Sequence, residues 1–174
     1  MESQIFDLGV LHADPNPANF AFRKDGSVVM YDFGCVKTLQ AGVADGCKQL
    51  LVDGLREDYA SMDRTLLALG VRRSGGPKVS PEFYKFWRDW LALPFLAAPL
   101  FDFGRANFER DVTTKLLPLA LKHIASFRPS RELVFLNRTL LGHYATLRAM
   151  RAHIPVGALV GARIPETAPW FAER

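Results

Sequence analysis

Cysteines and long apolar runs are scarce in this chain of 174 residues. The two cysteines, Cys35 and Cys47, are too few for a disulfide framework or a cysteine-rich metal site, so we interpret them as free thiols in a reducing compartment. No run of about 18 apolar residues is present, so we expect no membrane-spanning helix. The opening Met1-Glu2-Ser3-Gln4 lacks the basic segment of a secretory signal peptide. We therefore expect a cytoplasmic protein, or a peripheral membrane or organellar one.

Concentrated charge is also missing. The net charge of +4 arises from 22 basic and 18 acidic residues that are spread along the chain. A nucleic-acid interface needs a basic stripe with interleaved aromatic side chains, so we expect no nucleic-acid partner. The hydrophobic content of 49% and the lack of low-complexity tracts predict one folded unit with a substantial core.

The residues that could carry out catalysis are concentrated in one stretch, His12-Ala13-Asp14-Pro15-Asn16-Pro17-Ala18-Asn19, which is followed by Asp32-Phe33-Gly34. The pattern H-x-D-x-x-x-x-N, then D-F-G, is typical of the catalytic loop and metal-binding turn of protein-kinase-like phosphotransferases. Phosphoryl transfer needs a carboxylate that accepts the proton of the attacking hydroxyl, and oxygen ligands that hold Mg²⁺ against ATP. Asp14 is therefore the candidate base, and Asn19 and Asp32 are the candidate metal and nucleotide ligands. His12 belongs beside Asp14 by its motif position, as a residue that braces the loop.

A β-hairpin is predicted between the two parts of this motif. Two short apolar runs, Phe20-Ala21-Phe22 and Val28-Val29-Met30-Tyr31, flank a polar turn that contains Asp25-Gly26. Asp-Gly between two such runs is a strong hairpin signal, because glycine tolerates the positive φ of a tight turn. The hairpin would return Asp32 to the catalytic loop.

Residues 4–19 closely resemble the UbiB/AarF-type atypical kinase family, which is linked to coenzyme Q metabolism and typically has H-A-D-P-H-P-G-N in this loop. Pro15 and Pro17 would hold the loop extended. Asn16 replaces the usual histidine, and Ala18 replaces a glycine, which is tolerable unless φ is positive. The resemblance is specific over about residues 4–39 and softer to about residue 155. It implies the C-terminal lobe of a protein-kinase-like fold that uses Mg²⁺ and ATP, for phosphoryl transfer or ATP hydrolysis linked to isoprenoid-quinone or lipid metabolism.

Two other functions stay open. Small-molecule phosphotransferases of the aminoglycoside and choline kinase type share the general pattern, and a non-catalytic remnant could serve as a binding or scaffold module. Only 11 residues precede His12, and none is lysine. The phosphate-covering loop and the phosphate-pairing lysine of a kinase belong to an N-terminal lobe. We therefore expect this chain to lack that lobe, to be inactive alone, and to need the missing lobe or a partner chain.

The predicted fold class is mostly α with a small β-hairpin (α+β). We expect a kinase-like C-lobe over residues 1–163, with its catalytic loop at 12–19, its metal-binding turn at 32–34 and a helical subdomain over 42–154, then an irregular tail at 164–174. Glycines are expected to end helices at Gly9 and Gly70, and Ser80 to begin one. Pro94, Pro99 and Pro118 should break or kink helices, and a long helix should span about 130–153.

Three further features each have two open interpretations: the aromatic segment, Arg138 and the arginines towards the C-terminus. The aromatic segment 83–103 is either a groove for an isoprenoid lipid or part of the core. Arg138 either pairs with an acidic residue near the catalytic loop or is solvated. Gly142 lies off the apolar stripe of its helix, which would let a neighbouring backbone approach. Dispersed arginines towards the C-terminus would suit an anionic membrane surface, although such residues are usually only solvated. In the D-F-G turn, Gly34 is a candidate structural residue.

Overall fold

The structure, a computed structural model, describes residues 2–97, 99–105 and 108–171. In chain order these residues form α1 (Glu2–Phe6), β1 (Val10–His12), β2 (Phe20–Phe22), β3 (Val28–Met30), β4 (Val36–Thr38), α2 (Val43–Arg56), α3 (Tyr59–Ala68), α4 (Pro81–Leu96), β5 (Phe101–Asp102), α5 (Phe108–Asp111), α6 (Leu117–Lys122), α7 (Arg131–Ala149), β6 (His153–Ile154) and α8 (Val156–Arg163). Short 3₁₀ helices span Pro17–Asn19, Phe33–Cys35, Phe103–Arg105, Ile124–Ser126 and Pro165–Trp170, and a π-helical turn spans Val112–Leu116. The protein is thus mostly helical.

The strands pair in three small antiparallel sheets. Strand β1 pairs with β4, β2 with β3, and β5 with β6. The β2–β3 pair is the predicted hairpin, with Phe20 opposite Met30 and Phe22 opposite Val28, and Gly26 in its turn has the positive φ of 83° that the prediction required. The predicted α+β class is therefore confirmed in its coarse form.

Local signals at the helix ends also hold. The Asp58 carboxylate accepts a hydrogen bond from Ser61 N at 2.8 Å and caps α3. Gly70 follows that helix with a φ of +69°. Ser80 caps α4, with Pro81 in the first turn, where a missing N–H costs nothing.

Other boundaries differ from the predictions. Helix α1 ends at Phe6, so Gly9 does not close it; its φ of +62° instead turns the chain into β1. Pro94 does not break α4, which continues to Leu96, and the ring of Pro94 is fully buried in the packing near the helix end. Helix α7 ends at Ala149, because Arg151 has a φ of +49° and leads into β6.

The predicted helix over about 107–124 begins outside the described residues. Its described part is interrupted before Pro118, by the π-helical turn. Pro118 is the second residue of α6, where an N–H is not needed. The tail predicted as irregular contains the 3₁₀ helix Pro165–Trp170, whose Thr167 is fully buried. No helix in the described part of the chain is long and apolar enough to cross a bilayer.

Two hydrophobic clusters form the core. The larger joins α2, the β5 region, α7 and α8 through Val52, Phe101, Phe103, Tyr144, Val156, Val160 and Ile164. Several rings of the aromatic segment are buried, including Phe83, Tyr84 and Phe103, which supports the core interpretation for them. The smaller cluster comprises Ile5, Leu11, Ala13, Leu39 and Val43. Since Leu11 and Ala13 flank His12, this cluster anchors the start of the motif.

Candidate active site

Main-chain hydrogen bonds bring the two parts of the motif together. We call residues 12–19 the motif loop and residues 32–34 the D-F-G turn. The β1–β4 pairing continues past His12, because Ala13 N donates to the Cys35 carbonyl at 2.8 Å. At the other end, Tyr31 N donates to the Asn19 carbonyl at 2.8 Å. The motif loop and the D-F-G turn are therefore joined through the backbone on both sides.

A direct hydrogen bond links the two polar ends of the motif loop. Asn19 Nδ2 donates to Asp14 Oδ2 at 2.8 Å, and Asn19 is 9% exposed. With the amide nitrogen engaged, Asn19 Oδ1 accepts no hydrogen bond from the described residues. Because Asn19 Nδ2 donates to Asp14, Asn19 Oδ1 is the side-chain atom that stays available as an oxygen ligand.

The two departures from the family's loop have a local explanation. Asn16 Oδ1 accepts a hydrogen bond from Ala18 N at 3.1 Å and caps the 3₁₀ helix that carries Asn19. Ala18 is not among the described residues with positive φ, so alanine is accommodated there without strain. Asparagine is a good cap because its short side chain reaches the next exposed N–H groups.

His12 connects the motif loop to the D-F-G turn. Its side chain is buried, and Nε2 donates to the Asp32 carbonyl at 2.9 Å, with the Tyr31 carbonyl at 3.3 Å. Because carbonyl oxygens only accept, Nε2 carries the proton. The other ring nitrogen, Nδ1, is buried and has no hydrogen-bond partner among the residues that the structure describes. Gln4 Oε1 accepts from His12 N at 3.1 Å, a contact that the sequence did not suggest.

Asp32 has a left-handed backbone conformation, with φ of 53°. Aspartate tolerates this conformation better than most residues do. Its Oδ1 accepts a hydrogen bond from Gly34 N at 3.1 Å, and the side chain is exposed. A Cβ on Gly34 would lie 3.1 Å from that same oxygen. Glycine at position 34 therefore leaves the carboxylate uncrowded.

Helix α7 packs directly on the motif loop. An added Cβ at Gly142 would lie 2.2 Å from Pro15 Cγ, so the ring of Pro15 occupies the space that a side chain would need. The predicted close approach is therefore real, but the neighbour is a prolyl ring and not a backbone. The next residue, His143, contacts the Phe20 ring at 5.7 Å, and burial lowers its pKa to about 4.

Arg138 is a predicted site residue that remains apart from this network. Its side chain is exposed, and no ion pair within the described part of the chain joins it to an acidic residue. Likewise, no group of three or more histidine, cysteine, aspartate or glutamate side chains that could hold a metal is found among the described residues. A metal held by Asn19 and Asp32 would need further oxygen ligands from its nucleotide or from water.

Comparison with known proteins finds a family that is similar to the motif region. The model of the ABC1 atypical kinase-like domain matches residues 1–66, which contain the motif loop, the hairpin and the D-F-G turn. Residues 1–66 are therefore similar to the ABC1 atypical kinase-like domain. The resemblance to UbiB/AarF proteins is thereby confirmed, and the kinase-like character of the motif with it.

Curated relatives match the same region. A chloroplastic ACTIVITY OF BC1 COMPLEX KINASE 1 protein of Arabidopsis thaliana is 34% identical over 92 residues, which is 49% of this chain and 13% of that protein. An uncharacterized chloroplastic aarF domain-containing protein kinase, At1g71810, of the same plant is 28% identical over 69 residues, 40% of this chain and 10% of that protein. A protein of Paramecium bursaria Chlorella virus 1 described as a putative ABC transporter, A445L, is 36% identical over 73 residues, 40% of this chain and 15% of that protein. These alignments thus cover only a small part of each relative.

One solved structure resembles nearly the whole chain. It is that of Rv3197 from Mycobacterium tuberculosis in complex with erythromycin, with a TM-score of 0.70 and 23% identity. The match covers 96% of this chain and 42% of that one. At this identity the likeness concerns the fold, and it extends the fold relationship beyond residue 66.

Proposed function

We propose that the motif loop and the D-F-G turn form the magnesium-nucleotide side of a kinase-like active site, in the C-terminal lobe of a protein-kinase-like fold. The observation that carries this proposal is the hydrogen bond from Asn19 Nδ2 to Asp14 Oδ2, together with the bond from His12 to the Asp32 carbonyl. The first contact joins the side chains of Asp14 and Asn19, and the second ties the backbone of Asp32 to the motif loop. The same groups would serve phosphoryl transfer or ATP hydrolysis.

The donor atoms fit magnesium. Asn19 Oδ1 and the Asp32 carboxylate are oxygen donors, which Mg²⁺ prefers, and it commonly uses one or two protein ligands beside substrate phosphates. Asn19 presents its oxygen because its amide nitrogen is engaged by Asp14. When bound, Mg²⁺ would neutralise negative charge on the nucleotide phosphates.

Asp14 would act on the acceptor. Its Oδ2 accepts the hydrogen bond from Asn19, which leaves Oδ1 to accept the proton of an attacking hydroxyl or water. His12 would act as a positioning residue, since its Nε2 proton is committed to a carbonyl of the D-F-G turn. In this proposal Gly34 keeps the Asp32 carboxylate free of a neighbouring side chain.

A further lobe, on a longer chain or a partner, would complete the site. Phe22, Tyr31 and Phe33 stand 61%, 52% and 65% exposed beside the motif, and Val28 and Val36 are 53% and 45% exposed. A group of exposed large apolar side chains commonly marks a surface that another protein element covers. We propose an N-terminal lobe as that element, so the isolated chain should bind Mg-ATP weakly and not turn it over.

The finer assignment is a lipid-linked role. We propose a small or lipid acceptor related to isoprenoid quinones, and an organellar or membrane-peripheral location, from the chloroplastic relatives and the UbiB/AarF resemblance. A scaffold function and a small-molecule phosphotransferase are the alternatives. Acceptor-dependent ADP release by the completed protein, with an aminoglycoside- or choline-type alcohol, would favour the latter.

Binding of a paramagnetic metal with ATP tests the site. Mn²⁺, used as a substitute for Mg²⁺, should broaden the Asn19 side-chain amide resonances of the 174-residue chain when ATP is present, since unpaired electrons act over short distances. Asp32→Asn keeps a residue that tolerates positive φ and should weaken this metal-dependent ATP binding at least ten-fold. Asp25→Asn is the matched control, because Asp25 lies exposed in the neighbouring hairpin turn and its carboxylate accepts hydrogen bonds from Ser27.

The outcomes separate the proposals. Equal binding by Asp32→Asn and the wild type would overturn the assignment of the metal ligand. Absence of any metal-dependent ATP binding would favour the scaffold function. Turnover of ATP by the isolated chain would contradict the need for a further lobe while leaving the metal site standing.

A further inference from the structure

A basic cavity lies apart from the motif loop. Its volume is about 510 Å³, and it is lined by Leu67, Arg72, Arg73, Ser74 and Arg128. None of these residues belongs to the motif loop or the D-F-G turn. The proposed phosphotransfer site therefore makes no use of the cavity.

Two chain segments form the walls of the cavity. The residues after α3 run antiparallel to those before α7, with Arg73 N donating to the Ser126 carbonyl at 2.9 Å and Arg128 N donating to the Val71 carbonyl at 2.8 Å. Six backbone and side-chain hydrogen bonds between described residues run from one segment to the other, so the walls are held at a fixed spacing.

The two exposed arginines are held in a reciprocal arrangement. Arg73 Nε donates to the Phe127 carbonyl at 2.8 Å, and Arg128 Nε donates to the Gly70 carbonyl. Each guanidinium is thus tied to the opposite segment by one nitrogen, and its two terminal nitrogens stay available. A Cβ on Gly70 would lie 3.0 Å from Arg128 Nη2, so glycine allows this guanidinium to lie close to the backbone. Side chains fixed in this way lose less conformational entropy when they bind a ligand.

Of the three arginines that line the cavity, Arg72 has an acidic partner, whereas Arg73 and Arg128 have none among the described residues. Arg72 is 7% exposed and is neutralised by Asp63, whose Oδ1 lies 2.7 Å from Arg72 Nε. Arg73 and Arg128, by contrast, have no acidic partner within the described ranges 2–97, 99–105 and 108–171. Two unpaired positive charges and the Ser74 hydroxyl therefore line one concave space.

We propose that this cavity binds a phosphate monoester group. Guanidinium groups match phosphate oxygens as paired N–H donors, and a phosphate monoester carries close to two negative charges near pH 7. The Ser74 hydroxyl supplies a second kind of hydrogen-bond donor. The ligand is either a soluble phosphorylated metabolite or the headgroup of a phosphomonoester lipid, since both present the same chemical group.

Titration of the 174-residue chain with each source tests the proposal. Glycerol 3-phosphate serves as the soluble probe, and phosphatidylcholine vesicles that contain phosphatidic acid serve as the lipid probe, both at constant ionic strength. We expect one or both to bind, with NMR shift changes confined to residues 70–74 and 126–128. Binding should weaken as the pH falls below about 6, where the phosphate monoester dianion takes up one proton and becomes a monoanion.

Charge-removing variants provide the control. Arg73→Gln and Arg128→Gln should each weaken binding at least ten-fold, whereas Arg64→Gln should leave it unchanged, because Arg64 is an exposed arginine of α3 that does not line the cavity. Asp32→Asn should also leave it unchanged, which separates this cavity from the proposed metal site. The proposal is overturned if neither probe binds, if Arg64→Gln weakens binding as much as Arg73→Gln, or if the wild-type shift changes lie elsewhere.

Discussion

Replacement of Gly142 by alanine should disturb the motif loop from a helix that lies more than a hundred residues away in the chain. The added Cβ would lie 2.2 Å from Pro15 Cγ and 2.4 Å from Pro15 Cβ. Carbon atoms in contact normally lie ~3.5–4.0 Å apart, so α7 or the loop must move by more than about 1 Å. The prolyl ring cannot rotate away, because it is closed on the backbone. Asp14, which precedes Pro15, would move with it.

The expected free energy follows from two opposing terms. Glycine to alanine inside a helix normally stabilises a protein by about 0.5–1 kcal/mol. Overpacking of a tight contact costs about 1–3 kcal/mol and should dominate here. For a chain of this size each kcal/mol corresponds to roughly 2–4 °C in Tm, so Gly142→Ala should lower Tm by several degrees. Thermal and urea unfolding measure this directly.

Gly54→Ala is the matched control. Gly54 lies inside α2, and a Cβ there would meet only Arg88 Cγ, at an ordinary 3.5 Å. This variant should therefore be stabilised by the helix term alone. A double-mutant cycle with Pro15→Gly, which removes the ring, should return about 0.5–3 kcal/mol of coupling between positions 15 and 142. If Gly142→Ala raised Tm as Gly54→Ala is expected to, this result would contradict the close contact between α7 and Pro15 of the motif loop.

Two further predictions concern stability. Burial lowers the pKa of His143 from 6.5 to about 4. Between pH 6.5 and pH 4 the unfolded chain therefore binds more protons than the folded chain. The free energy of unfolding should fall as the pH falls through this range, by roughly 3 kcal/mol at most. Urea unfolding from pH 7 to pH 4 should show a weaker pH dependence of stability in His143→Gln than in the wild type. His153→Gln, which removes an exposed histidine, should keep the wild-type pH dependence. Equal pH dependence in the two variants would refute the role of His143. Asp58→Ala should cost about 1 kcal/mol through its lost cap on α3, and Ser80→Ala less, because its cap bond is 3.4 Å against 2.8 Å; the reverse order in Tm would contradict this.

Features with strong local causes could be predicted from the sequence. Asp25-Gly26 specifies a hairpin because the turn alone demands a positive φ, and Ser80-Pro81 specifies a helix start because both residues act within one turn. The end of α1 was misplaced at Gly9, since a positive φ marks a turn without saying whether a helix precedes it. The continuation of α4 through Pro94 depends on burial, which no local pattern reveals.

The sequence indicates candidate residues for the site, whose roles stay predictions, but it does not reveal the packing that supports them. The spacing of Asp14, Asn19 and Asp32 indicates a shared cleft, yet the hydrogen bond from Gln4 to His12 and the prolyl contact with Gly142 depend on tertiary packing. The basic cavity could not be predicted from the sequence either. Arg73 and Arg128 are far apart in the chain and are brought together only by the pairing of the segments that precede α4 and α7.

The hydrogen bonding of His12 bears on how the motif could work. Its Nε2 proton is engaged by the Asp32 carbonyl, and its Nδ1 atom is buried with no hydrogen-bond partner in the described part of the chain. Neither nitrogen can therefore exchange a proton with an acceptor molecule unless the D-F-G turn first moves. We infer that Asp14 is the proton acceptor of the motif and that His12 couples the position of Asp32 to the motif loop. Because the bond runs to the backbone of Asp32, this coupling would persist in Asp32→Asn and would be lost in His12→Phe.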